Sequence, residues 1–373
     1  MTAARLDGVV ADARVLVCCG SGGVGKTTTA AVIGIEAARR GRRVIVVTID
    51  PARRLADALG LPDGLSGTPQ RVEVDPGPDA GELWAMMLDT PAMFERVVRS
   101  HATDDEQAER IVANRFFQNI AGALSGTQEY MASEALHELH GDDRFDLVVV
   151  DTPPSRNALD FLEAPGVLSR FLDHTAFKLL MMPTRTSMKV LSIATQPILR
   201  AIGRVVGSDV LADAVAFFQA FTGMEVGFRE RAEEVTALLH DDSTKFVLVS
   251  SPQRDTVVEA VWFAEQLREQ GFDVSATVVN RLLPRFGDGT VADAASRADT
   301  ARERGDHGLA ALWANLAELR TVADAERAQL RPLVERVGER PVVEVPRLPS
   351  DVHDVAALEL LGAHLFHESA PAG

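Results

Sequence analysis

Cysteine is almost absent from this sequence. The chain of 373 residues contains two cysteines, Cys18 and Cys19, which are adjacent. Both fall in an apolar run that reads as a buried strand, where consecutive side chains point to opposite faces. The pair therefore offers neither a disulfide framework nor a C-x-x-C zinc site.

Long hydrophobic runs are also absent. No apolar stretch reaches the roughly 18 residues that a membrane-spanning helix needs. The first residues, Met-Thr-Ala-Ala-Arg-Leu-Asp, lack the apolar core of a secretory signal. We therefore expect a cytoplasmic protein without an integral membrane segment.

Lysine is scarce, and positive charge is in the minority. The formal net charge is −16, whereas affinity for a phosphate backbone needs clustered cations. This balance argues against nucleic acid and anionic membrane as partners. The basic residues are 34 arginines and four lysines, namely Lys26, Lys178, Lys189 and Lys245.

Short apolar runs rich in β-branched residues alternate with helical patterns. They lie at 15–19, 43–49, 146–150, 245–250, 275–279 and 342–345. They are continuous rather than alternating, which is typical of parallel strands covered on both faces. Residues 27–40 predict a helix that stops at Gly41, so the chain opens with a βαβ unit.

Helical periodicity dominates residues 90–140 and 165–240, and residues 287–325 also read as helical. We interpret 1–373 as one α/β domain carrying a helical subdomain built from the first two stretches. Residues 367–373 are expected to be a frayed, disordered tail.

The clearest motif is a P-loop, Gly20-x4-Gly25-Lys26-Thr27. Backbone N–H groups of such a loop curl around a phosphate, the lysine adds charge, and the hydroxyl of Thr27 is offered to Mg²⁺. The motif predicts a P-loop NTPase with helices on both faces of a parallel sheet, using ATP or ADP with Mg²⁺. Its candidate binding residues are Gly20, Ser21, Gly22, Gly23, Val24, Gly25, Lys26, Thr27 and Thr28.

Two aspartates follow predicted strands. Asp151 ends the run Leu-Val-Val-Val-Asp, a Walker-B pattern that binds Mg²⁺; the alternative is a simple strand-end cap. Asp50 ends the second strand, where it would orient or deprotonate the attacking water and contact the metal. Asp50 also suits the N-cap of a helix beginning near Pro51, and both interpretations can hold.

These motifs resemble those of one family. Residues 20–28, GSGGVGKTT, resemble the deviant Walker A of the SIMIBI class, and 48–52, TIDPA, resemble its switch I. Residues 151–155, DTPPS, are similar to switch II of the ArsA family of arsenite-pump and tail-anchored-protein-targeting ATPases. Weaker matches are SGTQE at 125–129, Asn280 after a late strand, and PRLP at 346–349.

The resemblance implies site residues and an assembly. Lys26 and Thr27 would bind phosphate and Mg²⁺, Asp50 would handle the water, and Asp151 would open switch II. Asn280 would contact adenine, and the loop at Pro346 would close over the base. The family also implies a dimer that sandwiches two nucleotides and opens and closes with hydrolysis.

Departures from the family pattern qualify that expectation. The lysine that reaches the partner's phosphates is Ser21 here, which predicts slow hydrolysis because a cation in trans is worth ~10³–10⁵ in rate. Arg156, Arg53 or a paralogous ArsA-family subunit with an intact lysine could replace it. Switch II reads Ser-Arg-Asn at 155–157 instead of the family's common Thr-Gly-His.

The scarcity of cysteine also bears on cargo. Without cysteines elsewhere in the chain, neither the cysteine-lined metalloid site of arsenite pumps nor the dimer-bridging zinc of targeting factors can form. A Met- and Phe-rich stripe could form an apolar groove for a client helix or merely the subdomain core. It comprises 177–182, Met188, Leu191, Phe217, Phe218, Phe221 and Met224.

The sequence thus predicts an ArsA-family ATPase that acts on a protein or membrane-associated partner, as a homodimer or heterodimer. The alternative is a nucleotide-binding regulatory subunit that hydrolyses little. A positioning ATPase of the ParA/MinD kind is disfavoured because residues 355–366 carry no Lys or Arg. A metabolic kinase is disfavoured because the switch sequences resemble another class.

Overall fold

The structure is a computed structural model. It describes residues 5–50, 52, 54–73, 81–115, 127–153, 155–173, 213, 216–348 and 355–366. The Met- and Phe-rich stretch 177–191, Arg53 and the tail 367–373 lie outside the described residues, as does the side chain of Arg156. The predictions made for them stay predictions.

The centre of the molecule is one eight-stranded sheet in the order β3-β4-β2-β5-β1-β6-β7-β8. Neighbouring strands are parallel except for the antiparallel pair β3–β4. The strands are β1 Val15–Gly20, β2 Arg43–Thr48, β3 Gln70–Val72, β4 Glu82–Met87, β5 Leu147–Asp151, β6 Thr244–Ser250, β7 Val274–Leu282 and β8 Val342–Pro346. The predicted α/β class with a mostly parallel sheet is confirmed.

Helices cover both faces of the sheet. They are α1 Asp7–Ala11, α2 Lys26–Arg39, α3 Arg54–Ala58, α4 Thr90–His101, α5 Asp105–Val112, α6 Thr127–His140, α7 Ser155–Asp173, α8 Glu225–Leu239, α9 Arg254–Glu269, α10 Val291–Glu303, α11 His307–Gln329, α12 Arg331–Val337 and α13 Val355–Leu365. The described parts of the stretches predicted to be helical are mostly helical, with short turns or loops at 102–104, 113–114, 221–224, 287–290 and 304–306.

The alternation of side chains along each strand divides the core into two clusters. Cys19 packs in the cluster that contains Met131 of α6 and Phe263 of α9. Cys18 packs in the cluster that contains Ile33 of α2 and Leu361 of α13. Each central strand therefore buries both faces, which is why its sequence is a continuous apolar run.

The sheet has two strands that the sequence analysis did not predict. β3 is three residues long and begins with two polar residues, Gln70 and Arg71, at the sheet edge. β4 begins with Glu82, whose carboxylate accepts a hydrogen bond from Trp84 at 3.1 Å. Two of the three residues of β3 are polar, and the apolar run of β4, residues 83–87, contains no β-branched residue, unlike the runs of the central strands.

Glycine punctuates the first βαβ unit. Gly25, at φ 101°, caps the N-terminus of α2 in the left-handed region, which costs an L-residue free energy. Gly20, at φ 143°, packs so closely on β6 that a Cβ atom would lie 2.0 Å from the carbonyl oxygen of Val249. Both glycines are therefore required by the turn itself.

The described part of the helical insertions has an aromatic core. Phe221 lies 4.9 Å from Phe217 and 5.4 Å from Phe228 between ring centroids. Phe217, Phe221 and Met224 are all buried, and Phe218 is partly buried against them. This part of the predicted stripe packs inside the molecule, as the core interpretation predicts.

Candidate nucleotide-binding site

The candidate site lies where the carboxyl ends of β1, β2, β5 and β7 meet. Parallel strands present their carboxyl ends at one edge of a sheet, and loops leaving that edge form ligand sites. The P-loop leaves β1 there and feeds into the N-terminus of α2. The strand order therefore brings together residues that are far apart in the sequence.

Lys26 lies inside the loop. Its Nζ donates a hydrogen bond to the carbonyl oxygen of Ser21 at 2.8 Å, and its side chain is buried. Burial lowers the pKa of Lys26, and the nearby Asp151 carboxylate opposes that shift. A phosphate that enters the loop would meet this cation.

Asp151 connects the loop to the second strand. Its Oδ2 accepts hydrogen bonds from Thr27 Oγ1 at 2.8 Å and from Thr48 Oγ1 at 2.9 Å. Its Oδ1 is buried and has no hydrogen-bond partner among the described residues. Burial raises the pKa of Asp151 to about 6, although both threonine hydroxyls act in the opposite direction.

The donor set at Asp151 fits Mg²⁺. A hydroxyl and a carboxylate are hard oxygen ligands, and the unpartnered Oδ1 is a buried acceptor that a cation would satisfy. The described residues contain no group of three or more His, Cys, Asp or Glu side chains placed to hold a metal. Mg²⁺ would therefore be shared with phosphate oxygens, as is usual for this ion.

Asp50 lies at the end of β2 with its carboxylate engaged locally. Oδ1 accepts from the backbone N–H of Ala52 at 3.0 Å, and Oδ2 lies 3.5 Å from the guanidinium of Arg54. Asp50 also contributes to the electrostatics of Lys26 and Asp151. The carboxylate caps the turn before α3, which begins at Arg54 rather than near Pro51, so Asp50 is not the N-cap of that helix. Its contact with a water or a metal stays a prediction.

Asn280, at the end of β7, contacts the P-loop. Its Nδ2 donates to the carbonyl oxygen of Val24 at 2.9 Å, and its Oδ1 accepts from the N–H of Arg281 at 2.9 Å. Each end of the amide keeps a second hydrogen-bonding position, so contact with a base stays possible. Pro346 ends β8 opposite Leu282, at the same edge of the sheet.

Ser21 stands where the family has its signature lysine. The side chain is 2% exposed, and its hydroxyl has no hydrogen-bond partner among the described residues. Gly22 and Gly23 are exposed, Val24 is buried, and Thr28 is partly buried in the first turn of α2. The loop therefore offers glycine backbone to the outside and keeps Ser21 inside.

Three contacts of the site were not predicted. Thr48 bonds to Asp151, and Gln128 Nε2 donates to the carbonyl oxygen of Ile49 at 2.9 Å, which ties α6 to the end of β2. Arg281 donates to the carbonyl oxygen of Gly23 at 3.0 Å. The sequence offers a signal for Thr48, which precedes Ile49-Asp50, and for Gln128, which belongs to the SGTQE match. No sequence pattern points to Arg281.

A cavity of about 340 Å³ adjoins the outer side of the loop. Gly22, Gly23, Arg281, Glu326 and Arg347 are among the residues that line it. It is large enough for part of a nucleotide and carries both charge signs.

Comparison with known proteins agrees with this geometry. Residues 13–293 match the family of anion-transporting ATPases, ArsA_ATPase. The chain is 29% identical to ATPase GET3 of Malassezia globosa over 71% of this chain and 72% of that protein. It is 22% identical to putative arsenical pump-driving ATPase 1 of Aquifex aeolicus over 96% of this chain and 80% of that protein.

A third relative is Protein Rv2184c of Mycobacterium tuberculosis, which is 31% identical over 74% of this chain. The match spans 60% of that relative's length. Among the described residues, no helix is long and apolar enough to cross a membrane. The family match extends over three quarters of the sequence and includes the P-loop, both switch motifs and Asn280. The chain is a member of the ArsA family of ATPases.

Proposed function

We propose that this chain is a Mg²⁺-dependent ATPase that cycles between open and closed dimers to act on a protein or membrane-associated partner. The observation that carries the proposal is the cluster of Thr27, Thr48 and Asp151 beside Lys26. It combines a P-loop cation with a carboxylate whose free oxygen suits a metal. Its location in the cytoplasm stays a prediction.

Each candidate residue would have its own role in nucleotide binding or hydrolysis. N–H groups of residues 22–27 and the ammonium of Lys26 would hold the phosphates. Thr27 and Asp151 would hold Mg²⁺, which when bound neutralises developing charge on the phosphate oxygens. Asp50 would accept a hydrogen bond from the attacking water and fix its direction. Asn280 and Pro346 would border the base.

The alternative is a regulatory subunit that binds nucleotide and hydrolyses it little. Ser21 favours it, because a short, buried hydroxyl cannot reach a partner's phosphates. Arg53 or Arg156 could supply the missing cation, as could a paralogous subunit. A single-turnover assay separates the two functions, since a regulatory subunit would leave the bound ATP intact.

The partner is inferred by analogy with the relatives. Two of them are named ATPase GET3 and arsenical pump-driving ATPase. Because the two cysteines are buried in β1 on opposite faces, we propose that this chain does not carry arsenite. A hydrophobic client segment at the helical subdomain is the partner we favour.

The variant Lys26→Ala tests the proposed site. Loss of the buried cation should raise the Kd for Mg·ADP by about 100-fold or more, because a charged hydrogen-bond donor in the loop is removed. Isothermal titration calorimetry measures this, with Lys245→Ala as the matched control outside the site. Equal affinity in Lys26→Ala and wild type would show that the loop does not bind nucleotide.

A further inference from the structure

Two consecutive residues at the end of β7 hold two consecutive carbonyl groups of the P-loop. Arg281 donates through one terminal guanidinium nitrogen to Gly23 at 3.0 Å, and Asn280 donates through Nδ2 to Val24 at 2.9 Å. We propose that Arg281 is a positioning residue that, together with Asn280, holds the P-loop in the conformation that binds phosphate. The inference rests on the proposed nucleotide-binding function.

The geometry of the peptide bond explains how such a contact acts. In a trans peptide the C=O and the following N–H point in opposite directions. Holding the carbonyls of Gly23 and Val24 towards β7 therefore turns the N–H groups of Val24 and Gly25 away from it. Such N–H groups are the donors that a P-loop presents to phosphate.

The P-loop is exposed at two consecutive glycines. Gly22 and Gly23 are exposed, and a Cβ atom at Gly23 would meet nothing within 4 Å. At Gly25, by contrast, a Cβ atom would lie 2.5 Å from Asn280 Nδ2, so β7 lies close against the loop. Gly22 and Gly23 thus lie next to two fixed donors, the side chains of Asn280 and Arg281, which we call the brace. The brace can change the fraction of molecules in which the P-loop is in its phosphate-binding conformation.

The backbone of Arg281 is itself in an unusual conformation. Its φ of 63° lies in the left-handed region, which is unfavourable for a residue other than glycine. The register of β7 with β8 shifts between Val279 and Leu282, and Asn280 Oδ1 accepts the N–H of Arg281. This local departure from the strand turns the Arg281 side chain towards the P-loop.

Helix α11 anchors the chain directly after this turn. Glu326 accepts a hydrogen bond from the N–H of Leu283 at 2.7 Å, and Arg327 donates to the carbonyl oxygen of Leu283 at 3.3 Å. Arg320, which is buried, donates to the carbonyl oxygens of Phe286 and Thr290 at 3.1 and 3.0 Å. The brace is therefore fixed to a long helix.

This arrangement predicts a particular kinetic signature. The brace acts on the loop whether ATP or ADP is bound, so its removal should weaken both to the same extent. We expect the Kd for each to rise about three- to tenfold, the effect of one charge-assisted hydrogen bond that is partly exposed. KM should rise by the same factor with kcat within about twofold of wild type.

Arg281→Gly separates this role from a structural one. Glycine removes the side chain and relaxes the left-handed backbone, so the nucleotide-free Tm should be equal to or above that of wild type. Arg281→Ala removes the same hydrogen bond but keeps the strain. The matched control is Arg285→Ala. Arg285 lies four residues after Arg281, and the substitution breaks its exposed ion pair with Asp324 of α11.

The decisive measurements are calorimetric titration of each variant with Mg·ADP and steady-state hydrolysis of ATP, which gives kcat and KM. Weaker binding in both Arg281 variants, with Arg285→Ala like wild type, supports the brace. Unchanged ADP affinity overturns it, as does a fall in kcat at constant KM, which would make Arg281 a catalytic contact. If wild type itself binds no nucleotide, the proposed function fails instead.

Discussion

Ser21 is the position at which the P-loop of this chain departs from the family pattern. The family lysine at this position reaches across a dimer, whereas here the side chain is buried and the hydroxyl lacks a partner among the described residues. Lys26 binds the carbonyl of the same residue at 2.8 Å, so Ser21 also shapes the interior of the loop. A change at this position tests the assembly and the chemistry together.

Ser21→Lys should increase ATP turnover. A lysine restores a cation that can act in trans, and such a cation contributes up to ~10³–10⁵ in rate. We expect an increase of about tenfold or more at protein concentrations that support dimers, and no increase below them. Steady-state hydrolysis measured across a dilution series checks this.

The control for this experiment is Ser21→Ala, which removes the hydroxyl without adding charge and should leave turnover near the wild-type value. An increase in Ser21→Lys that is independent of protein concentration would contradict action in trans. No increase at any concentration would indicate that another cation already serves the site.

The sequence predicts which motif residues lie together, but not all of their contacts. Lys26 and Thr27 begin α2 after the P-loop leaves β1, and Asp151 ends the neighbouring strand β5, so the three residues meet at one edge of the sheet. The contact of Asn280 with Val24 depends on the shift in β7 register, for which no residue pattern is diagnostic. Arg281 could not be found for the same reason.

At the scale of elements, helices α4, α6 and α8 enclose a cluster of titratable groups. Glu134 is 3% exposed and accepts a short hydrogen bond from Tyr130. Arg231 of α8 lies 3.8 Å from Glu134 and also contacts His137, whose other nitrogen faces Glu234. Burial raises the pKa of Glu134, and the Tyr130 and Arg231 contacts only partly offset it.

This shift gives the packing of these helices a defined pH dependence. A carboxyl whose pKa is higher in the folded than in the unfolded state stabilises the fold at low pH. That contribution is complete below its ordinary value of 4.5 and is lost as pH rises through the raised folded value. Glu134→Gln removes the titration and retains an oxygen that accepts from Tyr130.

We therefore expect the stability of Glu134→Gln relative to wild type to increase as pH rises from about 4.5 through the folded pKa. Urea unfolding of both proteins over this range measures the difference. Glu138→Gln is the control. Glu138 lies on the same helix as Glu134, but its side chain is exposed and pairs with Arg96 at the surface. A difference that does not vary with pH would contradict a raised pKa.

The elements were predictable where burial is two-sided. β1, β2, β5 and β6 are apolar on both faces, and the corresponding runs in the sequence predicted them to within a residue or two. β3 was missed because Gln70 and Arg71 are polar, and β4 because its apolar run, residues 83–87, lacks the β-branched residues typical of strands. Such a strand is specified by pairing with a neighbour, which local composition does not encode.

At the scale of the whole molecule, the sheet order places the P-loop between two groups of helices. β1 lies between β5, which carries Asp151, and β6, which leads through α9 to β7 and Arg281. Gln128 connects α6 to switch I. Helix α11 is connected to the end of β7 through the turn that follows this strand. If the proposed site binds nucleotide, these contacts connect it to α6 and to α11.

If nucleotide is sandwiched between two copies, occupancy should control assembly. The exposed glycines of the loop lie at the surface, so a bound γ-phosphate would be accessible to a second chain. The variant Asp50→Asn lacks the carboxylate proposed to orient the water, so with Mg·ATP it should accumulate a dimer of about twice 40.2 kDa. The variant Lys26→Ala lacks the cation proposed to hold the phosphates and should remain a monomer. Light scattering after size-exclusion chromatography measures both masses.

A monomeric Asp50→Asn chain at saturating ATP would contradict the homodimer. Dimer recovery on adding an ArsA-family paralogue would then establish the heterodimer, in which the partner's lysine compensates for Ser21.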